Sequence, residues 1–181
     1  PRVGLVLSGG GARGLAHIGV LKVLEREGVP VDLVVGTSVG AIVGALYASG
    51  VAPSDIEGMA KEVGWNELTD LSSARVVRLL LSERLLSTQK MEKYLKDRIG
   101  EKSFADLKIP FACLTTDIRT GEGIVLREGS VALAARASAT MPGIFEPVPF
   151  RHRLLIDGGV VDNVPTEVAR RLGADILLCL Y

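Results

Sequence analysis

A serine between glycines follows an apolar run of the chain: Ser38 in the pentapeptide Gly36-Thr37-Ser38-Val39-Gly40. A strand that turns into a helix through a single residue forces that residue into a strained conformation. Glycines two positions before and after it remove side chains that would otherwise collide. The hydroxyl then lies at the positive end of a helix, which favours developing negative charge. The pattern predicts that Ser38 is a nucleophile; the alternative is a tightly packed, glycine-rich core segment.

A second glycine-rich segment, Ser8 to Gly14 (SGGGARG), also follows an apolar run. Its glycines fit the G-x-G-x-x-G fingerprint of dinucleotide-binding proteins. That fingerprint requires an acidic residue at the end of the next strand, where this chain has the uncharged residues 36–38. The alternative is an oxyanion hole, in which the backbone N–H groups of Gly10, Gly11 and Ala12 bind an acyl oxygen. One such donor contributes about 3–4 kcal/mol in acyl transfer, and the sequence favours this second interpretation.

A nucleophilic serine needs a base, and the chain contains two histidines. His17 falls inside the first predicted helix, where it is expected to pack or cap. His152 stands among arginines at the start of a strand, away from the predicted site. Asp157 ends the apolar run 154–156 and precedes two glycines that let a serine approach. Because partial burial raises the basicity of a carboxylate, we predict that Asp157 is the base; the alternative is an ordinary turn aspartate.

The three turns indicate how the chain folds, because each follows an apolar strand. Residues 3–28 and 30–50 each read as strand, turn and helix, with Gly28 and Gly50 as helix stops. Their strands are continuously apolar, which is typical of a parallel sheet covered on both faces. Since the carboxyl ends of parallel strands meet at one edge of a sheet, we expect the three turns to lie together.

The middle of the chain has a different character. Residues 65–100 form a helical, cap-like segment that contains two basic amphipathic patterns, RVVRLLLSERLL and QKMEKYLKDRI. Such patterns are typical of a solvated helix face. A cap over the site, or a surface that contacts an anionic membrane, is the alternative.

The remaining residues alternate between β and helical patterns. Residues 108–129 predict a hairpin that turns at Thr120-Gly121. Ser130 is the predicted N-cap of a helix that Pro142 ends. Residues 152–181 predict a short strand, a glycine turn, a helix and a last strand.

Composition bounds the class of protein. The chain has 181 residues, 48% of them hydrophobic and 23% charged, which predicts one globular domain over residues 1–181. Lys+Arg and Asp+Glu are both 21 and aromatic residues make up 4%, so nothing indicates a nucleic-acid partner. Cys113 and Cys179 lie in apolar segments and are expected to be buried and reduced.

Residues 33–54 carry no charge, and their glycines repeat the G-x-x-x-G spacing of packed transmembrane helices. The β-branched residues before Gly36 and the polar Thr37 and Ser38 favour a strand, turn and helix instead. No signal peptide or membrane span is predicted, which indicates a cytoplasmic protein with at most peripheral membrane contact. The first residue is Pro1 and the last run is a core-like strand, so we expect a fragment of a longer protein.

Four blocks of the sequence, in this order, resemble the patatin-like phospholipases, and most closely their bacterial members: SGGGARG, GTSVG, the ASATMP segment (Ala137–Pro142) and DGG. The resemblance covers nearly the whole chain. It implies a three-layer α/β/α fold with a mainly parallel central sheet. It also implies hydrolysis of fatty acyl esters of phospholipids or lysophospholipids, through an acyl-enzyme and without a metal or other cofactor.

The resemblance also implies roles for single residues. Ser38 and Asp157 form a catalytic dyad without histidine, and Arg13 holds the glycine-rich loop or meets a phosphate. The residues that line the oxyanion hole are Gly9, Gly10, Gly11 and Ala12. The glycines that support the three turns are Gly14, Gly36, Gly40, Gly158 and Gly159. Two other hypotheses stay open, a nucleotide-binding protein and a catalytically silent lipid-binding module, and the sequence leaves the oligomeric state open.

The chain departs from the family pattern in being shorter than its usual members. A C-terminal portion that helps to cover the pocket is therefore expected to be missing. Nothing in the sequence resembles the calcium-binding lipid domain of some distant relatives.

Overall fold

A seven-stranded sheet organises residues 1–63 and 88–181, which are the part of the chain that this computed structural model describes. The strands are β1 (Val3–Leu7), β2 (Leu33–Thr37), β3 (Phe111–Asp117), β4 (Gly123–Leu126), β5 (Val148–Phe150), β6 (Arg153–Asp157) and β7 (Ile176–Leu180). Their spatial order is β5-β6-β3-β2-β1-β7, and β4 pairs with β3. Strands β7, β1, β2 and β3 pair in parallel, whereas β4, β5 and β6 join by antiparallel pairing.

Helices cover both faces of this sheet. They are α1 (Leu15–Arg26), α2 (Val39–Ala48), α3 (Pro53–Glu62), α4 (Gln89–Ile99), α5 (Val131–Ser138) and α6 (Thr166–Arg171). Short 3₁₀ turns span Gly11–Gly14, Phe104–Asp106 and Gly158–Val160. The larger core cluster joins one face of the sheet to helices α1 to α5. The smaller cluster packs Val6, Leu33 and Val35 against Ala169 of α6. The predicted α/β fold with a helix-covered sheet is confirmed.

The two predicted strand–turn–helix units are present. Strand β2 is buried along its whole length, and so is every residue of α2, which accounts for the uncharged run over 33–54. Gly28 and Gly50 follow α1 and α2 with φ values of +64° and +94°, as helix stops do. Among the residues described, no helix combines the length and the apolar character needed to cross a bilayer.

The middle and C-terminal predictions hold with two exceptions. The hairpin of β3 and β4 turns where predicted, and the Ser130 hydroxyl accepts a hydrogen bond from the N–H of Leu133, which caps α5. However, α5 ends at Ser138, before Pro142 can interrupt it. Cys113 is buried but Cys179 is exposed, because β7 lies at the edge of the sheet.

The predicted segment over residues 65–100 is described only in its last part. Helix α4 confirms the second basic pattern, with Leu95 and Ile99 buried in the core. The first basic pattern, over residues 75–86, lies outside the described residues. The prediction of one domain over residues 1–181 stays a prediction.

The turn at Asp157–Gly159 lies beside the Ser38 turn for a reason that the sequence did not predict. Strand β6 is antiparallel to β3, so its carboxyl end points opposite to that of β2. The carbonyl of Pro110 accepts from the N–H of Val34, and Ile118 donates to Leu154. Backbone groups two residues apart in a strand face the same side, so β2 and β6 occupy one edge of β3 in succession. Their carboxyl ends therefore face each other.

Candidate active site

Ser38 occupies the strained turn between β2 and α2. Its φ of +57° and ψ of −124° are rarely adopted by residues other than glycine. A Cβ atom at Gly36 would overlap the carbonyl of Gly40, and one at Gly40 would overlap the carbonyl of Leu7. Glycine is therefore required at both positions to let the helix leave the strand so sharply. The local geometry that the pentapeptide predicts is present.

The carboxyl group of Asp157 lies directly beside Ser38. The Ser38 hydroxyl donates to Asp157 Oδ2 at 2.6 Å, and the N–H of Gly159 donates to Asp157 Oδ1 at 2.7 Å. Only 7% of Asp157 is exposed. Burial raises the pKa of the Asp157 carboxyl above its ordinary value, while the hydrogen bonds from Ser38 and Gly159 act in the opposite direction. This arrangement can transfer a proton from the hydroxyl to the carboxylate.

The backbone around Asp157 is also held in place. Its N–H donates to the carbonyl of Thr140 at 2.8 Å, and its carbonyl accepts from the Thr116 hydroxyl at 3.0 Å. A Cβ atom at Gly158 would overlap the carbonyl of Leu114. Gly158 thus allows β6 to end against β3, next to the Ser38 turn.

The glycine-rich loop approaches Ser38 from β1. Gly10 and Gly11 have φ values of +143° and +58°, which glycine adopts readily. Their backbone N–H groups have no acceptor among residues 1–63 and 88–181. Gly9 differs, because its N–H donates to the carbonyl of Asn163 at 3.2 Å. Gly9 instead allows the loop to approach Ser38 closely, because a Cβ atom at Gly9 would lie 3.0 Å from Ser38 Cβ.

The rest of the loop forms a 3₁₀ turn over Gly11–Gly14, which includes the backbone of Ala12. The Arg13 side chain is exposed, and its guanidinium has no partner within the described part of the chain. A Cβ atom at Gly14 would overlap the side chain of Val39, so α1 and α2 approach closely here. Both roles of Arg13, holding the loop and meeting a phosphate, stay predictions.

Two residues that the sequence argument did not single out hold the loop and the turn. Asn163 accepts from Gly9 through its backbone carbonyl, and its side-chain Nδ2 donates to the carbonyl of Gly9 at 3.3 Å. Ser138 accepts a hydrogen bond from the N–H of Ser38 at 2.9 Å. Ser138 belongs to the ASATMP block, so its position in that block was the available signal. Nothing in the sequence pattern gave Asn163 a role.

An apolar cavity of about 330 Å³ opens beside the Ser38 turn. Gly14 and Val39 border it, and α1, α2, α3 and α4 provide most of its wall. Its large apolar side chains are Leu15, Ile18, Val39, Ile42, Val43, Leu46, Ile56, Met59, Val63, Met91, Tyr94 and Leu95. A cavity of this chemistry suits a hydrocarbon chain.

The histidines occupy the positions predicted for them. His17 is buried in α1, and its Nε2 lies 2.8 Å from the carbonyl of Ser8. Burial lowers the pKa of His17, against the opposing effect of that hydrogen bond. His152 is exposed in the turn between β5 and β6. In the described ranges, no three His, Cys, Asp or Glu side chains lie close enough to share a metal ion.

The basic residues of α4 are largely engaged in ion pairs. Lys96 Nζ lies 2.9 Å from Glu92 Oε1, Lys93 lies 4.0 Å from Asp97, and Arg98 pairs with Glu62. Both interpretations of α4, a solvated face and a surface that contacts an anionic membrane, stay predictions.

Known proteins resemble this chain over most of its length. Residues 5–170 match the family described as Patatin-like phospholipase. Patatin-like phospholipase domain-containing protein ZK370.4 of Caenorhabditis elegans is 40% identical over 175 residues, which cover 95% of this chain and 13% of the relative. Patatin-like phospholipase domain-containing protein 6 of Homo sapiens is 38% identical over 181 residues, covering 98% and 13%. Lysophospholipase nte1 of Emericella nidulans is 34% identical over 184 residues, covering 98% and 12%.

Solved structures show the same fold. VipD from Legionella pneumophila aligns with a TM-score of 0.66 at 19% identity, over 91% of this chain and 47% of that one. The ExoU–SpcU complex of Pseudomonas aeruginosa gives a TM-score of 0.64 at 23% identity, over 93% and 40%. The chain spans only 12–13% of the length of the curated relatives named above. The match over residues 5–170 and the 34–40% identities show that the chain belongs to the patatin-like phospholipase family.

Proposed function

We propose that this chain is a serine acyl hydrolase in which Ser38 is the nucleophile and Asp157 the base. The observation that carries the proposal is the 2.6 Å hydrogen bond from the strained Ser38 to the buried Asp157. A nucleophile within hydrogen-bond reach of a base is the arrangement that covalent catalysis requires. The raised pKa of Asp157 brings the carboxylate closer to the basicity needed near neutral pH.

The reaction then proceeds through an acyl-enzyme. Ser38 Oγ attacks the acyl carbonyl as its proton passes to Asp157, and the carbonyl oxygen becomes an oxyanion. The tetrahedral intermediate collapses, the ester C–O bond breaks, and the leaving alcohol takes the proton from Asp157. Water, deprotonated by Asp157, attacks the acyl-enzyme in the second half. The fatty acid leaves and Ser38 recovers its proton.

The oxyanion is held by backbone donors of the glycine-rich loop. The N–H groups of Gly10 and Gly11 are the first candidates, because both lack an acceptor in the described part of the chain. Ala12, in the 3₁₀ turn, is the third predicted donor. The N–H of Gly9 is already engaged with Asn163, so we assign to Gly9 the close approach of loop and nucleophile rather than a donor role.

We propose fatty acyl esters of phospholipids or lysophospholipids as substrates. The apolar cavity beside Val39 supports a hydrocarbon acyl chain, and relatives carry the names patatin-like phospholipase and lysophospholipase. Peripheral contact with a membrane, through which such a substrate would arrive, is part of the same proposal. A cytoplasmic location is likewise proposed.

The experiment compares hydrolysis of a p-nitrophenyl ester and a lysophospholipid by the wild type, Ser38→Ala and Asp157→Asn. We expect both variants to lose activity while keeping the wild-type fold by circular dichroism. Ser49→Ala is the matched control, since Ser49 is a buried serine at the far end of α2, and it should keep wild-type rates. Full activity in Asp157→Asn would show that Ser38 and Asp157 do not act as a catalytic dyad. Liposome binding without esterase activity in the wild type would instead favour a silent lipid-binding module.

A further inference from the structure

A buried hydroxyl interrupts the β2–β3 ladder at the nucleophile turn. In this parallel pair, Val34 donates to the carbonyl of Pro110 at 2.9 Å. Rungs from one strand edge repeat every two residues, so the ladder would continue until the N–H of Ser38 met the carbonyl of Leu114. Instead, Ser38 donates to Ser138 Oγ at 2.9 Å, and Ser138 Oγ donates to Leu114 at 2.6 Å. The Ser138 side chain is thus inserted where the next rung would be.

We propose that Ser138 is a positioning residue that sets the backbone of the Ser38 turn. The inserted hydroxyl holds Ser38 away from β3 at the point where its φ becomes positive. It also satisfies the carbonyl of Leu114 in the gap between the facing ends of β2 and β6. Ser138 is fully buried, so loss of its hydroxyl leaves the N–H of Ser38 and the carbonyl of Leu114 without this partner inside the protein. The catalytic meaning of this role rests on the proposed function.

The same short segment holds both members of the proposed dyad. Ser138 binds the backbone N–H of Ser38, and Thr140, two residues later, accepts from the backbone N–H of Asp157 at 2.8 Å. The Thr140 hydroxyl donates to the carbonyl of Arg136 at 2.8 Å, which ties the segment to the last turn of α5. The end of α5 therefore fixes the nucleophile and the base relative to one another. Because Ser138 occupies the N–H of Ser38, that N–H is not an oxyanion donor.

The test removes the hydroxyl and then restores it. Ser138→Ala should lower kcat for p-nitrophenyl acetate by about 10²-fold, the effect of misplacing a reacting group by about 1 Å, while KM changes by less than about twofold. Ser138→Thr, which keeps a hydroxyl, should recover most of kcat. Ser49→Ala is the control, because its hydroxyl donates to the carbonyl of Ala45 at 2.6 Å in a buried site. It should lower the thermal midpoint without changing kcat at 25 °C.

A second measurement does not depend on activity. In the wild type, amide hydrogen exchange at Ser38 should be slow, and in Ser138→Ala it should be at least about tenfold faster while exchange at Val35 stays unchanged. Wild-type kcat in Ser138→Ala, equal loss in Ser49→Ala, or fast exchange at Ser38 in the wild type would each overturn the proposal. If the wild type hydrolyses no ester, the proposed function fails, and the exchange data alone decide the role of Ser138. If Ser138→Ala does not fold, exchange in the wild type still decides the role of Ser138: slow exchange at Ser38 supports it and fast exchange overturns it.

Discussion

The hydroxyl of Ser38 and the carboxylate of Asp157 lie 2.6 Å apart although their strands run in opposite directions. Strand β3 makes this contact possible because it is longer than β2. Thr37, the last residue of β2, pairs with Leu114, and Asp157, the last residue of β6, pairs with Thr115. Strands β2 and β6 thus end at adjacent positions along one edge of β3. Ser38, which follows β2, therefore meets Asp157, which ends β6.

The burial of Asp157 predicts the pH dependence of hydrolysis. A base must be deprotonated, so activity is present above its pKa and is lost as the pH falls through it. Since burial raises the pKa of Asp157, the acid limb of kcat/KM should lie above about pH 4, the ordinary range of an aspartate. The measurement is kcat/KM for p-nitrophenyl acetate from pH 4 to pH 9.

His152→Gln serves as the control for that profile, because His152 is exposed and away from Ser38. His152→Gln should leave the acid limb of kcat/KM at the same pH as in the wild type. A profile that stays flat down to pH 4 while the protein remains folded would show that no group with a raised pKa acts as the base.

The same shift predicts that Asp157 reduces the stability of the fold at neutral pH. Its pKa is higher in the folded than in the unfolded chain, so the folded state binds more protons between the two values. Stability then falls as the pH rises through that interval. Asp157→Asn removes the charge, and its side-chain oxygen can still accept from Gly159. We expect the Tm of Asp157→Asn at pH 7 to be equal to or above that of the wild type. A Tm several degrees lower would contradict a destabilising effect of the Asp157 charge.

The glycines around Ser38 predict a steric effect that is specific to position. A Cβ atom at Gly40 would overlap the backbone of β1, so Gly40→Ala should destabilise the fold by about 3 kcal/mol or more. Gly19→Ala in α1 is the matched control, because a Cβ atom there meets nothing within 4 Å. It should stabilise the helix by about 0.5–1 kcal/mol. Thermal denaturation checks both, and equal effects of the two variants would contradict the argument.

The cavity predicts how chain length is selected if the proposed function holds. Leu46 lies on α2 seven residues after Val39, which places it about 10 Å along the helix from the Ser38 turn. Leu46→Phe should fill the far part of the cavity. We expect the rate for a p-nitrophenyl ester of ten or more carbons to fall about tenfold relative to the acetate.

Leu126→Phe provides the comparison for that ratio, because Leu126 is buried in β4 and is not part of the cavity wall. It should change stability without changing the preference for chain length. An unchanged ratio in Leu46→Phe would mean that the acyl chain binds elsewhere.

The sequence predicted the turn at Ser38 well because its glycines act locally. Gly36 and Gly40 are needed to avoid collisions with atoms of the same turn and of β1, and this requirement is visible in the spacing alone. The order of strand, turn and helix followed from continuous apolar runs. Ser38 and Asp157 lie in contact, as the sequence led us to expect, but the reason given for their proximity was wrong, since β6 is antiparallel to β3. The catalytic roles of the two residues stay predictions.

Long-range hydrogen bonds were the part that the sequence did not reveal. Ser138 meets Ser38 across 100 residues of chain and Leu114 across 24. Its place in the ASATMP block was a signal for the segment, but that place predicts neither contact. The same holds for Asn163, whose backbone carbonyl accepts from the N–H of Gly9. These residues act through tertiary contacts, which the spacing of residues along the chain does not record.

The most direct test of the Ser38–Asp157 dyad is the rate and site of labelling by a fluorophosphonate, with the adduct located by peptide fragmentation. We predict a single adduct on Ser38 in the wild type and none in Ser38→Ala. In Asp157→Asn, labelling should be slower by about 10²–10⁴-fold, the usual contribution of a general base. An adduct on another residue, or labelling of Asp157→Asn at the wild-type rate, would contradict the dyad.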